Sequence, residues 1–350
     1  ADVDVLVMIA PENLTDRQIF AVDQFLMRGG SVIVSAGNYK ASVDQFSGGL
    51  ALQPLAGTLS DLLASYGVVV QDSLVMDMQN EPFPVPVVRD VGGFQVQEYQ
   101  AIDYPFFVDV RADGMDSEHP ITANIPAVTM NWASPVVLDE ELNEDRDTTV
   151  LLQSTASSWL TNDSNVQPDF EAYPMLGFPQ QGEQQSYPLA VSVQGSFESY
   201  FLDRELPFGG TEEASADPAQ TEPESIPPLI ETSPDTARLV VFGSAEFLDD
   251  LVFQLSYSMS ADRYLNSLQL FQNAIDWSVE DLDLLEIRSR GTYTRLLAPL
   301  TSQQESVWEI INYAVALIAL AGLAWIWNQE RKNEIPMELD PPGSAGKGEG

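Results

Sequence analysis

The sequence predicts an α/β protein with a mostly parallel sheet, a β-rich elaboration and one transmembrane helix near its carboxyl end. Three observations predict this fold class. Two continuous apolar runs near the start flank a helical segment, short segments of alternating polarity fill the middle, and an uncharged run occupies Ile310–Trp327. Continuous apolar runs are typical of buried parallel strands, whereas alternation is typical of strands with one side facing water.

The first apolar run, VLVMIAP, follows the opening ADVD directly and predicts a buried strand. Thr15 is the expected N-cap of the helix that follows, and Gly29 with Gly30 should end that helix. A second apolar strand, VIVSA, comes next, so strand, helix and strand form a βαβ unit. The residues expected on the buried face of the helix are Ile19, Val22, Phe25 and Leu26.

A further helix is predicted at Thr58–Tyr66, where TLSDLLASY is followed by Gly67 as a C-cap. The strand-like segment VVVQDSLVMD comes after it. Residues 1–80 are therefore assigned to the first part of a Rossmann-like α/β domain.

Residues 81–208 differ in pattern and are assigned to a β-rich elaboration or second subdomain. Their alternating segments predict strands that are antiparallel or at a sheet edge. These segments are FQVQEY, PFFVDV, AVTMNW, SPVVLD, TTVLLQS and YPLAVSVQG. The segment that follows, Gly209–Pro228, is acidic and of low complexity, which predicts a disordered linker.

Residues 229–306 are assigned to the return of the α/β domain. The segment ARLVVFGSAEFLDD predicts a buried strand that runs into an acidic turn. A helix is expected at Tyr264–Val279. The residues expected on its buried face are Leu265, Leu268, Phe271 and Ile275.

The apolar segment near the end predicts a membrane-spanning helix at residues 307–328. A span of roughly 30 Å of hydrocarbon needs about 20 residues, and aromatic side chains near both ends resemble interfacial belts. A core helix is the alternative, but such helices usually keep a polar stripe. Arg331 and Lys332 follow the span, whereas Glu305 and Glu309 precede its apolar part. The excess of positive charge predicts that residues 329–350 are cytoplasmic, with the body outside. The Pro- and Gly-rich ending PPGSAGKGEG predicts that this tail is disordered.

Composition narrows the possible functions. The formal net charge is -38, with only three lysines, so a nucleic-acid partner is not expected because phosphate binding needs clustered cations. Anionic lipid headgroups would also repel this surface, so attachment to the bilayer must come from the apolar burial of Ile310–Trp327. Cysteine is absent from the sequence, which excludes disulfides, thiolate metal sites and a cysteine nucleophile.

The sequence offers little for catalysis, and we expect no catalytic residue, metal or cofactor. His119 is the sole histidine, so a Ser–His–acid triad would have to use it; a loop histidine bonded to nearby backbone is the favoured interpretation. Ser35 occupies an elbow-like position after the second strand, yet the sequence contains no GxSxG, GxGxxG or phosphate-loop pattern.

Acidic pairs are plentiful and are mostly expected to be solvated surface. Examples are Asp145 with Asp147, Asp249 with Asp250, and Asp281 with Asp283. The most promising group is Glu246, Asp249 and Asp250, because it follows the strand LVVFG and ligands of open α/β sheets bind beyond the carboxyl ends of strands. These three residues, with His119, are the candidate ligand or partner contacts.

The order of several segments carries a family resemblance. They are VDVLVMIAPENLTDRQIFAVDQFLMRGGSVIV, DLLASYGVVVQDSLVMD, EHPITANI, RLVVFGSAEFLDD and LFQNAIDWSVEDLDLLEIRSR, followed by the closing apolar helix. This series resembles the GldG-like family, the auxiliary component of gliding-motility-type ABC transporters. The match extends from Val3 to about Lys332, and it rests on the series because no single motif is diagnostic.

The resemblance implies a flavodoxin-like, class I glutamine-amidotransferase-like domain outside the bacterial inner (cytoplasmic) membrane, in the periplasm. It also implies a hetero-oligomer with an ABC permease and with an ATPase on a separate chain. Family members usually begin with another transmembrane helix and further strands, so upstream sequence is expected to be missing here. The missing cysteine predicts that the amidotransferase-like fold is not used for catalysis.

Three functions remain open. The favoured one is a non-catalytic auxiliary subunit whose exoplasmic domain binds the permease, a substrate or an envelope partner. The alternatives are an anchored scaffolding subunit of another membrane complex and a carboxylate-based exoplasmic hydrolase acting on carbohydrate. Small residues within the span permit close packing against a permease helix. They are Ala319, Ala321 and Gly322.

Overall fold

A computed structural model describes residues 3–43, 49–56, 59–91, 94–208, 228–259, 263–279 and 302–333 of the 350-residue chain. The chain divides into two compact units, residues 1–295 and residues 296–350. All but the last residue of the predicted linker Gly209–Pro228, and the acidic pair Asp281 with Asp283, lie outside the described residues.

The first unit contains most of the secondary structure. Its described strands are β1 (Val5–Ile9), β2 (Ser31–Ser35), β3 (Tyr39–Val43), β4 (Leu50–Pro54), β5 (Val68–Val70), β6 (Leu74–Asp77), β7 (Phe83–Val91), β8 (Phe94–Ile102), β9 (Phe107–Arg111), β10 (Ala127–Asn131), β11 (Val136–Leu138), β12 (Asp147–Gln153), β13 (Ser158–Thr161), β14 (Pro188–Gln194) and β15 (Arg238–Phe242). Its described helices are α1 (Asp16–Met27), α2 (Ser60–Ser65), α3 (Asp250–Met259) and α4 (Arg263–Ser278), with a 3-10 turn at Ala112–Gly114.

The central sheet has five strands in the order β1, β2, β15, β14, β12. The pairs β1–β2 and β2–β15 are parallel, whereas β15–β14 and β14–β12 are antiparallel. The expectation of a mostly parallel sheet is therefore wrong, and the sheet is mixed. Two strands from the β-rich middle of the chain, β12 and β14, complete the sheet on the far side of β15, where no crossover helix separates them.

The first βαβ unit forms as its local sequence predicts. Thr15 and Gln18 make a capping box at the start of α1, in which each side chain serves the backbone N–H of the other residue. Gly29 has φ +89°, and the N–H of Gly30 donates to the carbonyl of Phe25 over 3.2 Å. This is the glycine-dependent ending that turns the chain into β2.

Helices cover both faces of the central sheet. On one face, Leu26 of α1 and Leu62 of α2 pack with Val241 of β15. On the other face, Leu270 of α4 packs with Phe242 of the same strand. Because neighbouring strand residues point to opposite faces, β15 contributes to two cores and is buried along its whole length. The result is a three-layer α/β/α arrangement.

The helix predicted at Tyr264–Val279 is present as α4. Of the residues expected on its buried face, Phe271 and Ile275 pack against the core, whereas the other two do not. Leu265 and Leu268 are 47% and 41% exposed. The fully buried positions lie on a neighbouring stripe whose spacing is also compatible with a helical period. They are Ser267, Leu270, Asn273, Ala274, Asp276, Trp277 and Ser278.

The strands expected from VVVQDSLVMD are also present, but they lie outside the central sheet. β5 pairs with β11, and β6 pairs with β13, both antiparallel. Three further antiparallel pairs are β3–β4, β7–β8 and β9–β10. An aromatic core that includes Tyr104, Trp132 and Trp159 lies within this region. The proposed boundaries at residues 80 and 208 stay predictions, although β12 and β14 show that the middle region shares the central sheet.

The second unit is described through one helix, α5 (Ser302–Asn333). Within α5, Val307–Gln329 is long and apolar enough to cross a membrane, with a mean hydropathy of 2.0 and none of its most apolar part buried. The helix continues to Asn333, so residues 329–333 are helical and not part of a disordered tail. The rest of the predicted tail, residues 334–350, lies outside the described residues.

Candidate functional site

The loops that follow β1, β2 and β15 meet at the carboxyl edge of the parallel strands. The N–H of Ala10 donates to the carbonyl of Ser35 over 3.1 Å, and the N–H of Ala36 donates to Phe242 over 2.8 Å. Gly37 lies so close to the loop after β15 that an added Cβ would stand 2.3 Å from the backbone nitrogen of Ala245. The loops after β2 and β15 therefore form one interlocked edge.

Ser35 is fully buried at this edge and donates its hydroxyl to the carbonyl of Ser244. The Ser244 hydroxyl in turn donates to Asn131 over 2.6 Å and accepts the N–H groups of Glu246 and Phe247. These bonds hold the strand ends together. Ser35 has a backbone carbonyl as its partner here and not a histidine, so the arrangement around it is structural.

Glu246 is the inward-facing member of the predicted acidic group, with only 2% of the residue exposed. Burial and the neighbouring Asp249 raise the pKa of Glu246 from 4.5 to about 7, while the Ala41 backbone and Lys40 act in the opposite direction. With this pKa, the protonated and the ionised form of the Glu246 carboxyl are both populated near neutral pH. Such a group can donate or accept a hydrogen bond toward a ligand or toward the β3–β4 hairpin.

Asp249 and Asp250 differ from Glu246, because they lie at the start of α3. The Asp249 carboxylate accepts the N–H of Leu251 over 2.8 Å, and its carbonyl accepts the N–H of Phe253 over 3.0 Å. Asp249 is thus the cap of α3, and Asp250 is an exposed residue of the first helical turn, where a negative charge is favourable. Their role in binding stays a prediction.

His119 lies apart from this group, beside Trp277 near the end of α4 and with Arg238, at the start of β15, among the charges that act on it. Its pKa is lowered, because burial and Arg238 disfavour the charged ring more than Asp116 and Asp147 favour it. The structure therefore brings Glu246, Asp249 and Asp250 together and leaves His119 outside their group.

The hydrogen bonds of His119 do not suit a serine triad. Nδ1 accepts the N–H of Ile121 over 3.3 Å, and Nε2 lies 3.2 Å from the Ser192 hydroxyl. In the neutral ring the proton is therefore assigned to Nε2, which donates to Ser192. A general base needs the reverse tautomer, with Nδ1–H held by a carboxylate.

The structure contains a buried network of charged side chains that the sequence did not predict. Arg263 at the start of α4 pairs with Glu81, at 3.8 Å, and with Asp109 of β9. Asp109 also accepts from Arg111 over 2.8 Å, and Glu81 accepts from Ser256 of α3 over 3.0 Å. These contacts tie α3 and α4 to the β-rich part. The residues are far apart in sequence, so no local pattern predicts their pairing. Among the described residues, no group of three or more His, Cys, Asp or Glu side chains could hold a metal ion.

The small residues of α5 stand on an exposed helix. A Cβ added at Gly322 would meet no heavy atom within 4 Å, so the position has room for close approach by another helix. The packing of Ala319, Ala321 and Gly322 against a permease stays a prediction.

The structure defines the class of protein as an α/β domain followed along the chain by one helix that is long and apolar enough to span a membrane. Residues 1–277 match the family described as an ABC-type uncharacterized transport system, and the chain belongs to this family. This family indicates an auxiliary component of an ABC-type transport system. It is also similar to an uncharacterized protein of Borreliella burgdorferi, at 21% identity over 165 residues. That alignment covers 47% of this chain and 30% of the relative. No solved structure matches.

Proposed function

We propose that the chain is a non-catalytic, membrane-anchored auxiliary subunit whose α/β domain lies outside the cytoplasmic membrane and binds an ABC permease. ATP hydrolysis then occurs on a separate ATPase chain. The proposal rests on the order of two features along the chain. The family match covers residues 1–277, and a 23-residue helical segment that is long and apolar enough to cross a membrane follows it. The finer assignment, a GldG-like component of a gliding-motility-type transporter with a flavodoxin-like domain, rests on the order of segments.

The arrangement of the candidate nucleophiles supports a non-catalytic role. The sequence contains no cysteine, Ser35 is bonded to a backbone carbonyl, and the proton assigned to Nε2 of His119 points toward Ser192. We further propose that Glu246 contributes a buried, proton-exchanging contact for a ligand or partner at the carboxyl edge. Asp249 supports it by raising its pKa and by capping α3.

The charges around the span favour one orientation. Glu309 lies near the start of Val307–Gln329, and Arg331 follows its end. Cations beside a span are retained on the cytoplasmic side, so the acidic domain is proposed to lie in the periplasm.

Co-purification in a mild detergent tests the proposal. The full chain, tagged and purified from the membrane of its own host, should elute with an ATPase and a multi-span permease in a fixed ratio. Unrelated membrane proteins in place of the two subunits would support a scaffolding role. Hydrolysis of a glycan panel that is lost on carboxylate substitution would support the hydrolase alternative.

A further inference from the structure

A loop between β13 and β14 displays three large apolar side chains, Phe170, Tyr173 and Met175, here called the apolar tip. Their exposed fractions are 43%, 40% and 83%, and Met175 is the most exposed large apolar side chain in the described part of the chain. The three side chains lie within six residues of one loop. Exposed apolar patches often mark an interaction site, and aromatic residues and Met are enriched at protein interfaces.

The loop that carries the apolar tip has a fixed conformation. The N–H of Asp169 donates to the carbonyl of Gly177 over 2.7 Å, and the N–H of Gly177 donates to Tyr173 over 2.8 Å. The Asp169 carboxylate also accepts two N–H groups of the same turn, from Glu171 and Ala172, each over 3.0 Å. A turn bonded at both ends holds the apolar tip in place.

The base of the same loop is part of the aromatic core. Val166, Leu176 and Phe178 are buried there beside Trp159. Gly177 has φ +75°, and an added Cβ would lie 2.5 Å from Pro168, so the turn is tightly packed. Buried apolar residues therefore anchor the loop while their neighbours face water. A site that is already ordered loses little conformational entropy on binding, which favours association.

The charge of the loop indicates what it binds. Residues 161–187 contain four acidic side chains and no Lys, Arg or His. These four are Asp163, Asp169, Glu171 and Glu183. An anionic bilayer would repel such a loop. A protein surface with Lys and Arg around an apolar depression would attract the carboxylates and bury the apolar tip.

We infer that the apolar tip is a docking site for a protein subunit of the transport complex whose surface pairs an apolar depression with basic side chains. This inference rests on the proposed function and identifies the surface through which the domain engages that complex. Phe170, Tyr173 and Met175 supply the buried contact, and the surrounding carboxylates supply orientation and salt sensitivity.

Affinity measurements test the docking site. The full chain in nanodiscs is titrated with the purified ATPase–permease complex, as wild type and as the variant Phe170→Ser, Tyr173→Ser, Met175→Ser. We expect binding at least about tenfold weaker for the variant, since truncating central apolar contacts usually costs this much or more. The matched control, Leu142→Ser with Leu202→Ser, changes two other exposed leucines and should bind as wild type does.

A second variant tests the charge argument. Glu171→Lys should also weaken binding, and added salt should weaken binding of the wild type more than binding of this variant. The control Glu144→Lys makes the same change in an exposed residue of another loop. Unchanged melting temperatures confirm that the variants are folded.

The outcomes separate two failures. A wild-type chain that does not bind the ATPase–permease complex overturns the proposed function and this inference with it. Equal affinity of the wild type and the tip variant overturns only the inference. Tip-dependent flotation of the nanodisc-held chain with phosphatidylglycerol vesicles would instead assign the apolar tip to the bilayer and overturn the protein docking site.

Discussion

The hydroxyl of Tyr66 donates to the carboxylate of Asp23 over 2.7 Å, and both side chains are buried between α1 and α2. Asp23 also accepts the hydroxyl of Ser199 and the N–H of Tyr200, each over 2.7 Å. One buried carboxylate on α1 thus joins α2 and the loop after β14. Burial and Asp23 together raise the pKa of Tyr66, so the phenol stays protonated as a donor.

Removing the Tyr66 hydroxyl should destabilise the domain. Tyr66→Phe keeps the ring, which packs edge-on against Phe197 at 5.5 Å, but leaves the carboxylate short of one donor. We expect the free energy of unfolding to fall by about 1–3 kcal/mol, measured by denaturant titration of the full chain in detergent. Tyr257→Phe, at a residue that is 64% exposed, is the matched control and should change stability little. Equal effects of the two substitutions would contradict the assignment.

Glu246 should make stability depend on pH. Its pKa is higher in the folded state, so the folded chain holds the proton more tightly than the unfolded chain does. The stabilisation is complete below about pH 4.5 and is lost as the pH rises to about 7, a loss of up to about 3 kcal/mol.

The variant Glu246→Gln isolates this effect, because the amide mimics the protonated acid. Its melting temperature should match that of the wild type at pH 4.5 and exceed it at pH 8, as recorded by thermal unfolding across that range. Asp250→Asn, a change in an exposed neighbour, should show no such pH-dependent difference from the wild type. A constant difference between Glu246→Gln and the wild type at all pH values would refute the buried-acid interpretation.

Gly322→Leu should weaken association with the permease while the first unit stays folded. A leucine at this position keeps two helix backbones apart where glycine allows close approach. Ala324→Leu is a suitable control, because it lies about 200° around the helix from Gly322. The recovery of permease per tagged chain, measured after detergent extraction, should fall for Gly322→Leu and not for Ala324→Leu. Equal recovery for both would argue against this helix contact.

The orientation of the span can be read with introduced cysteines, because the natural sequence contains none. A cysteine at exposed Ser157 should react with a membrane-impermeant maleimide added to spheroplasts, and one at Ser344 should react only after lysis. The measured quantity is the labelled fraction before and after permeabilisation. The reverse pattern would place the domain in the cytoplasm.

Local signals made part of this fold predictable. The capping box at Thr15 and the glycine ending at Gly29 act within a few residues, so the first βαβ unit follows from the sequence. The central pairing does not. β15 joins the parallel strand β2 on one side and the antiparallel strand β14 on the other, and such long-range pairing leaves no periodic signal.

The sequence predicted the location of the candidate site but not the arrangement of its side chains. Three acids follow one buried strand, and a parallel sheet places them at its carboxyl edge. The inward position of Glu246 depends on distant residues such as Ala41 and Lys40, whereas Asp249 caps α3 through a contact only two residues along the chain. The fully buried stripe of α4 was missed for a related reason: it includes the polar residues Ser267, Asn273 and Asp276, so the apolar pattern does not mark it and only tertiary packing selects it.

The central position of β15 has a consequence for how the protein matures. Arg238–Phe242 pairs with Ser31–Ser35 across a separation of about two hundred residues. The parallel strands near the beginning of the chain and the antiparallel strands of its middle share no edge until this late segment is available. The central sheet therefore cannot be completed before β15 has been synthesised, and a chain that terminates before β15 lacks the strand that joins the two halves of the sheet. Almost the whole α/β domain must therefore be synthesised before its core is complete.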